Sequence, residues 1–191
     1  MKAEIENIVI DKIKKGDYSA CNFIVDKYKS FVYNICIKII KNREDAEEVA
    51  QDSFIKAFKS INGFKHESKF STWLYRITYN NAISKTRNKK IFKNEINETM
   101  VDSIHISSIS EGLENLNRVD RKKVLRNAMD RLSEEEQLLI SLYYFEENSM
   151  DEVSEITGLE ANYIKVKVHR TRKKLYHSIS EVMGIKMEDL L

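Results

Sequence analysis

No proline occurs in the 191 residues, and glycine occurs five times. Average usage would supply roughly ten prolines in a chain of this length. So few breakers leave few reasons to interrupt a helix. The apolar residues recur at helical spacing: Ile5, Ile8, Val9 and Ile13 sit a turn apart, and Phe31, Ile35, Cys36, Ile39 and Ile40 form a second stripe. No run sustains an alternation of period two, so no strand is expected. The expected class is all-α. With 42% apolar and 32% charged residues the chain can bury a core without disulfides or metals, and collagen-like or low-complexity classes are excluded. Cys21 and Cys36 make no disulfide framework. The N-terminal stretch lacks the continuous apolar core of a signal peptide. The most apolar stretch, Phe31 to Ile40, holds Asn34 and Lys38 and is too short to span a bilayer. The expectation is a reduced, cytoplasmic protein without membrane insertion.

The clearest helix follows Asn42. Ala46, Val49, Ala50, Ser53, Phe54, Ala57, Phe58 and Ile61 repeat at three-four spacing, Asn42 stands at the N-cap with Asp45 at the capping-box position, and Gly63 is expected to end the helix. From about Asn94 to Arg118 the periodicity weakens among Ser103, Ser107, Ser108, Ser110, Gly112 and many acids, a composition that reads as a flexible linker. Helical pattern resumes with Val124, Leu125, Ala128, Met129 and Leu132. Ser133 with Glu136, and Ser149 with Glu152, form two further capping boxes. Gly158 then separates a short helix from a longer one with Ile164, Val168, Thr171, Leu175 and Ile179 on one face. A short helix, a tight turn and a second helix make a helix-turn-helix pattern, which any two-helix hairpin can resemble.

The net charge of +2 is uninformative, but three stretches depart from neutrality. Between Ser68 and Asn94 lie seven bases and no acid, interleaved with Phe70, Trp73, Tyr75 and Tyr79. That mixture suits single-stranded nucleic acid, where phosphates meet cations and bases stack on rings. A solvated basic helix with its rings in the core is the plainer account of the stretch taken alone, and Trp73, sharing a face with Phe70, Leu74 and Ile77, reads first as core. Between Gly158 and His177 lie six bases against the single acid Glu160. A basic second helix of a helix-turn-helix fits the DNA major groove. Steps of about 100° per residue place Asn162, Val166, His169, Arg170 and Lys173 outward. The third stretch is acidic: Glu44, Asp45, Glu47, Glu48 and Asp52. Glu44, Glu48, Gln51 and Ile55 lie opposite the apolar stripe. An isoleucine among exposed acids fits a protein partner with a basic surface and an apolar centre; an ordinary acidic helix start complementing the macrodipole is the plainer account.

No catalytic constellation is visible. His66, His105, His169 and His177 are scattered, and none has a Cys or carboxylate at zinc spacing. The two cysteines read as core thiols, and five glycines form no phosphate loop. No metal or cofactor site is therefore expected.

Three of these stretches together resemble a known family. Asn42-Arg43-Glu44-Asp45-Ala46-Glu47-Glu48-Val49-Ala50-Gln51-Asp52-Ser53-Phe54 resembles the core-binding helix of bacterial sigma factors. Phe70-Ser71-Thr72-Trp73-Leu74-Tyr75-Arg76-Ile77-Thr78-Tyr79-Asn80 resembles the promoter-melting segment, and Gly158-Leu159 through Ile164-Lys165-Val166-Lys167-Val168-His169-Arg170-Thr171-Arg172 resembles the recognition helix. The short link between the halves resembles the small extracytoplasmic-function (ECF) group, which keeps only the second and fourth sigma domains. The resemblance implies a region-2-like domain over 1–93, a linker over 94–122, a region-4-like helix-turn-helix domain over 123–183 and a tail over 184–191. It differs from the usual pattern at Ser84, Thr86, Glu160, Asn162 and Tyr163.

The resemblance also implies that the chain is not an enzyme, and it implies roles. Glu44, Glu48, Gln51, Asp52 and Ile55 would meet the RNA polymerase core. Phe64, Lys65, His66, Ser68, Lys69, Arg76 and Asn80 would handle the minus-ten element and a base flipped from its strand, with Lys85, Arg87, Lys89 and Lys90 on phosphates. Glu160, Ala161, Asn162, Tyr163, Lys165, Val166, Lys167, His169, Arg170 and Lys173 would meet the minus-thirty-five duplex. The implied partners are polymerase core, promoter DNA in duplex and single-stranded form, and an anti-sigma factor of the kind that restrains many members of the group. The rival class is a stand-alone helix-turn-helix regulator, in which the acidic helix and the melting segment would have no purpose.

Overall fold

The structure, a computed structural model, describes residues 2–86 and 118–183. By contact the chain divides into two compact units, residues 1–93 with 151–159 and residues 94–150 with 160–191. Among the described residues all regular structure is helical. Most of the expected linker lies outside them.

The first unit is built on α1 (Lys2–Lys14), α2 (Cys21–Ile40), α3 (Arg43–Lys59) and α4 (Phe70–Lys85). The last three pack against one another. Ile24, Tyr28, Phe31, Val32, Ile35 and Cys36 line the buried face of α2. Ala46 and Ala57 of α3 and Ala82 of α4 are fully enclosed, and side chains this small let backbones approach. The rings of Tyr28 and Tyr75 meet edge-on at 6.0 Å, and Phe31 lies 4.7 Å from Tyr75. Edge-on and tilted ring pairs add to the burial that holds such a core.

Local chemistry sets the helix ends. Lys41, in the left-handed region at φ 65°, closes α2, its N–H donating to Ile37 O at 3.0 Å. Asn42 follows at once as the N-cap of α3, its Oδ1 accepting the Asp45 N–H at 2.9 Å. The predicted stripe on α3 is buried at Ala46, Val49, Ala50, Ser53, Phe54 and Ala57. The helix ends at Lys59, earlier than the expected stop at Gly63, because Ser60 leaves the helical region at φ −102° and ψ 10° and its hydroxyl donates to Lys56 O at 2.7 Å. Gly63 instead closes the short 3-10 turn Ile61–Gly63. The expected α1 stripe also shifts. Ile10 and Ile13 are buried, whereas Ile5 and Ile8 are 49% and 58% exposed. Glu6 takes the inward position, its carboxylate accepting from Tyr28 Oη at 2.8 Å and from the Lys27 ammonium.

Later in the chain come α5 (Arg118–Asp130), α6 (Glu134–Ile140), a π-turn at Ser141–Phe145, α7 (Met150–Thr157) and α8 (Ala161–Met183). In the second unit α5 and α6 both pack on α8. Ala128 and Ile179 form a buried pair flanked by Val124, Leu175 and Tyr176. The Ser133/Glu136 capping box is formed in both directions at the start of α6. Asn148 ties down the segment after the π-turn, its Nδ2 donating to Leu142 O at 3.0 Å. The turn between α7 and α8 runs through Gly158 at φ 73°, a backbone state that glycine adopts without steric cost.

Candidate functional site

Three surfaces carry the candidate residues. The first is the outer face of α3. Burial of the opposite stripe leaves Glu44, Glu48, Gln51 and Asp52 exposed, with Ile55 49% exposed beside them. The face is not acidic throughout. Lys85, from the end of α4, donates to Glu48 Oε2 at 2.9 Å and lies 3.3 Å from Asp45 Oδ1. The hydrogen bond to Glu48 and then that to Asp45 push its ammonium pKa up. Beside them Lys56 donates to Asn81 Oδ1 at 2.6 Å, and Asn81 Nδ2 donates to Ser53 Oγ at 3.0 Å.

The second surface is the loop before α4 and that helix's exposed side. Phe64 is only 3% exposed. Its ring lies 5.4 Å from both Phe70 and Trp73 and 4.6 Å from His66. It therefore shapes the loop from beneath. Lys14 of α1 fastens the loop, its Nζ donating to Phe64 O at 2.7 Å while lying 3.2 Å from His66 Nε2. Asp11 lies 3.7 Å from the same imidazole nitrogen, and His66 holds a left-handed φ of 61°. Lys65, Lys69, Arg76 and Asn80 are exposed and Ser68 is half-buried. Trp73 and Ile77 are half-buried, while Phe70 and Leu74 are in the core. Arg87, Lys89 and Lys90 lie outside the described residues.

The third surface is α8. Ile164, Val168, Thr171 and Ile179 are buried and Leu175 is half-buried, which turns the opposite face outward. Asn162 and Lys165 are exposed; Val166, His169, Arg170 and Lys173 are half-buried, as is Ala161, and Glu160 is exposed ahead of the helix. Desolvation first, then the charges of Arg172 and Lys173, lower the His169 pKa, which favours the neutral ring over an ionic phosphate contact. Tyr163 and Lys167 do not point away from the protein. Tyr163 Oη donates to Glu135 Oε1 at 2.7 Å, and Lys167 Nζ lies 3.8 Å from Glu135 Oε2. Lys174 Nζ donates to Glu136 Oε1 at 2.6 Å.

Sequence reasoning missed the residues that hold these surfaces in place: Lys14 and Asp11 at the loop, Glu135 and Glu136 at α8. The capping box marked Glu136 as a local feature, but no local signal reports a partner 38 residues away.

Comparison with known proteins agrees with this layout. Residues 24–91 match the Sigma-70 region 2 family and residues 122–175 match Sigma-70, region 4. The ECF RNA polymerase sigma factor SigW of Bacillus subtilis is 30% identical over 179 residues, 91% of this chain and 96% of that protein. The chain belongs to the ECF sigma factors. The ECF sigma-E factor of Haemophilus influenzae is 25% identical, over 93% of this sigma factor and 97% of its relative. Among solved structures, CnrH in complex with the cytosolic domain of CnrY aligns at TM-score 0.58 and 18% identity, covering 91% of this chain and 96% of that one. RpoE of Bartonella quintana, in complex with the anti-sigma factor NepR, aligns at 0.55 and 20% identity, covering 83% and 96%. Both share the fold.

Proposed function

We propose that this sigma factor docks on RNA polymerase core through the outer face of α3, opens the minus-ten element with the loop before α4 and that helix's exposed side, and reads the minus-thirty-five duplex with α8. The observation that carries the reading is the outer face of α3, where Glu44, Glu48, Gln51 and Asp52 lie exposed along the turns that lead to the exposed Ile55. A run of acids ending in an exposed apolar side chain complements a basic surface that carries an apolar patch, and such complementarity steers association and fixes register. A stand-alone helix-turn-helix regulator has no use for that face.

At the minus-ten element, Lys65, Lys69 and Arg76 supply charge for phosphates, and Asn80 offers an amide to a base edge at the exposed side of α4. Phe64, from beneath, fixes the loop that presents Lys65 and Lys69. At the minus-thirty-five element, Asn162 near the start of α8 meets base edges and Lys173, three turns on, meets phosphate. The chain supplies binding and positioning, and the polymerase supplies the chemistry, so the role is not enzymatic. No described helix is long and apolar enough to cross a membrane, which fits work in the cytoplasm beside the polymerase. An anti-sigma factor belongs to this reading, since the two structural neighbours were solved with protein partners and one of those is an anti-sigma factor.

Charge reversal tests the reading. Glu48→Lys should weaken the joining of core in a native gel by tenfold or more. The far-ultraviolet circular dichroism should not change, because an exposed substitution usually alters stability by about 0.5 kcal/mol or less. A Glu48→Lys protein that joins core with native affinity would remove α3 from the interface.

A further inference from the structure

Glu135 stands in the first turn of α6 and contacts α8 twice, through the Tyr163 phenol at 2.7 Å and the Lys167 ammonium at 3.8 Å. Its neighbour Glu136 holds Lys174 at 2.6 Å. At about 100° per residue, Tyr163, Lys167 and Lys174 fall within about 40° of one another on the helix circumference. They form one stripe along a flank of α8, beside the buried face of Ile164, Val168 and Thr171. Both carboxylates are well covered, with side-chain exposures of 13% for Glu135 and 5% for Glu136. A covered carboxylate that keeps its charge requires donors, and the helix flank supplies them. Burial and the bond to Glu135 also push the Tyr163 phenol well above its ordinary range, so the phenol stays a donor.

The buried apolar stripe fixes which face of α8 turns inward. Two hydrogen bonds on one flank, from Tyr163 to Glu135 and from Lys174 to Glu136, add a directional constraint on its rotation. We propose that Glu135 is a positioning residue for promoter reading: by gripping Tyr163 and Lys167 it sets the rotation of α8, and so decides that Asn162, Val166 and Lys173 face the duplex. On this assignment Tyr163 and Lys167 are not DNA contacts, although both lie in a basic recognition helix. The sequence preference then depends on a carboxylate that never touches DNA. The inference rests on the reading of α8 as the duplex-binding helix.

The test is selection of a minus-thirty-five duplex library by reconstituted holoenzyme, repeated at several salt concentrations, for Glu135→Ala, Glu135→Gln, Tyr163→Phe and Asn162→Ala. Asn162→Ala tests the underlying reading; an unchanged profile for it means that α8 does not read bases. With that arm positive, Tyr163→Phe and Glu135→Ala should each flatten the preference at the positions governed by Asn162 by about fivefold to tenfold. Glu135→Ala should also release Lys167 to a phosphate and steepen the salt slope by about one. Glu135→Gln keeps an acceptor for the phenol and should restore the profile while retaining the steeper slope. A merely structural role would lower affinity for every sequence alike and leave the profile intact. Wild-type profiles for both Tyr163→Phe and Glu135→Ala overturn the proposal. Should Glu135→Ala fail to fold, Tyr163→Phe decides alone.

Discussion

Replacing Glu136 separates the energy of a helix cap from that of an ion pair. The residue is 4% exposed. Its Oε2 accepts the Ser133 N–H at 3.0 Å and its Oε1 accepts from Lys174 at 2.6 Å. A hydrogen bond to a charged group contributes about 1.5–3 kcal/mol. Lys174 is 59% exposed, so that pair is screened and supplies at most about 1 kcal/mol. Desolvation of the carboxylate offsets part of the sum. Glu136→Ala should therefore cost about 2 kcal/mol, and Glu136→Gln, which keeps an acceptor for Ser133, about 1 kcal/mol.

Hydrogen exchange on the full chain reads this locally. Amides in 134–145 should lose about thirtyfold protection in Glu136→Ala, the equivalent of about 2 kcal/mol, while amides in α2 to α4 keep theirs. Acidity supplies a second check. Burial alone would raise the Glu136 pKa; the Lys174 hydrogen bond, the Ser133 N–H and the Lys174 charge together outweigh it and lower the value. The unfolded chain therefore binds the proton more readily than the folded one. The stabilisation is complete above the ordinary carboxylate value of about 4.3 and is lost as pH falls through the lower folded value. The gap between wild type and Glu136→Gln should be full at pH 7 and shrink in acid below about pH 4. Equal protection in wild type and Glu136→Ala at pH 7, or a gap that does not change with pH, would refute the reasoning.

Three further outcomes are expected. Asn42→Ala removes the side-chain acceptor at the start of α3 and should lower stability by about 1 kcal/mol in urea denaturation, with the slope unchanged. Asn80→Ala should slow promoter opening, followed by permanganate footprinting, several-fold more than it weakens minus-thirty-five binding; equal losses would make Asn80 structural. Burial raises the Cys36 thiol to about 12, and burial and then Asp17 raise Cys21. Since the thiolate is the reactive form, maleimide at neutral pH should label the half-buried Cys21 slowly and Cys36 only on unfolding, as peptide mass spectrometry will show.

Much of the architecture was legible because it is local. The stripe on α3, its Asn42 cap, the Ser133/Glu136 box and the turn at Gly158 are each specified within a few residues, and periodicity reports burial directly. The covered half of α1 was not legible. Ile5, Ile8 and Ile10 are equally apolar, and the inward set lies on the face that carries Glu6 and its partners Lys27 and Tyr28. The loop before α4 is hidden from sequence reasoning for a similar reason. The resemblance places Phe64 among the minus-ten residues, yet its ring is buried under the loop, whose Phe64 carbonyl is held by Lys14, a residue 50 positions earlier. Basic residues are harder still. Spacing gives the face on which Lys85, Tyr163 or Lys167 lies, but not which acid from another helix reaches it.

Lys85 has a wider consequence. It already sits on Glu48 and Asp45, so a basic group arriving at that face competes with a cation the protein carries itself. A rival that takes Glu48 releases the Lys85 ammonium at the end of the helix proposed to handle the minus-ten strand. Whatever free energy that exchange contributes acts equally in both directions. Polymerase would raise affinity for the strand, and the strand would raise affinity for polymerase. Alone, the chain holds the exposed Lys85 ammonium on Glu48 and Asp45; on the proposed reading, polymerase would take one side of that ion pair and the strand the other.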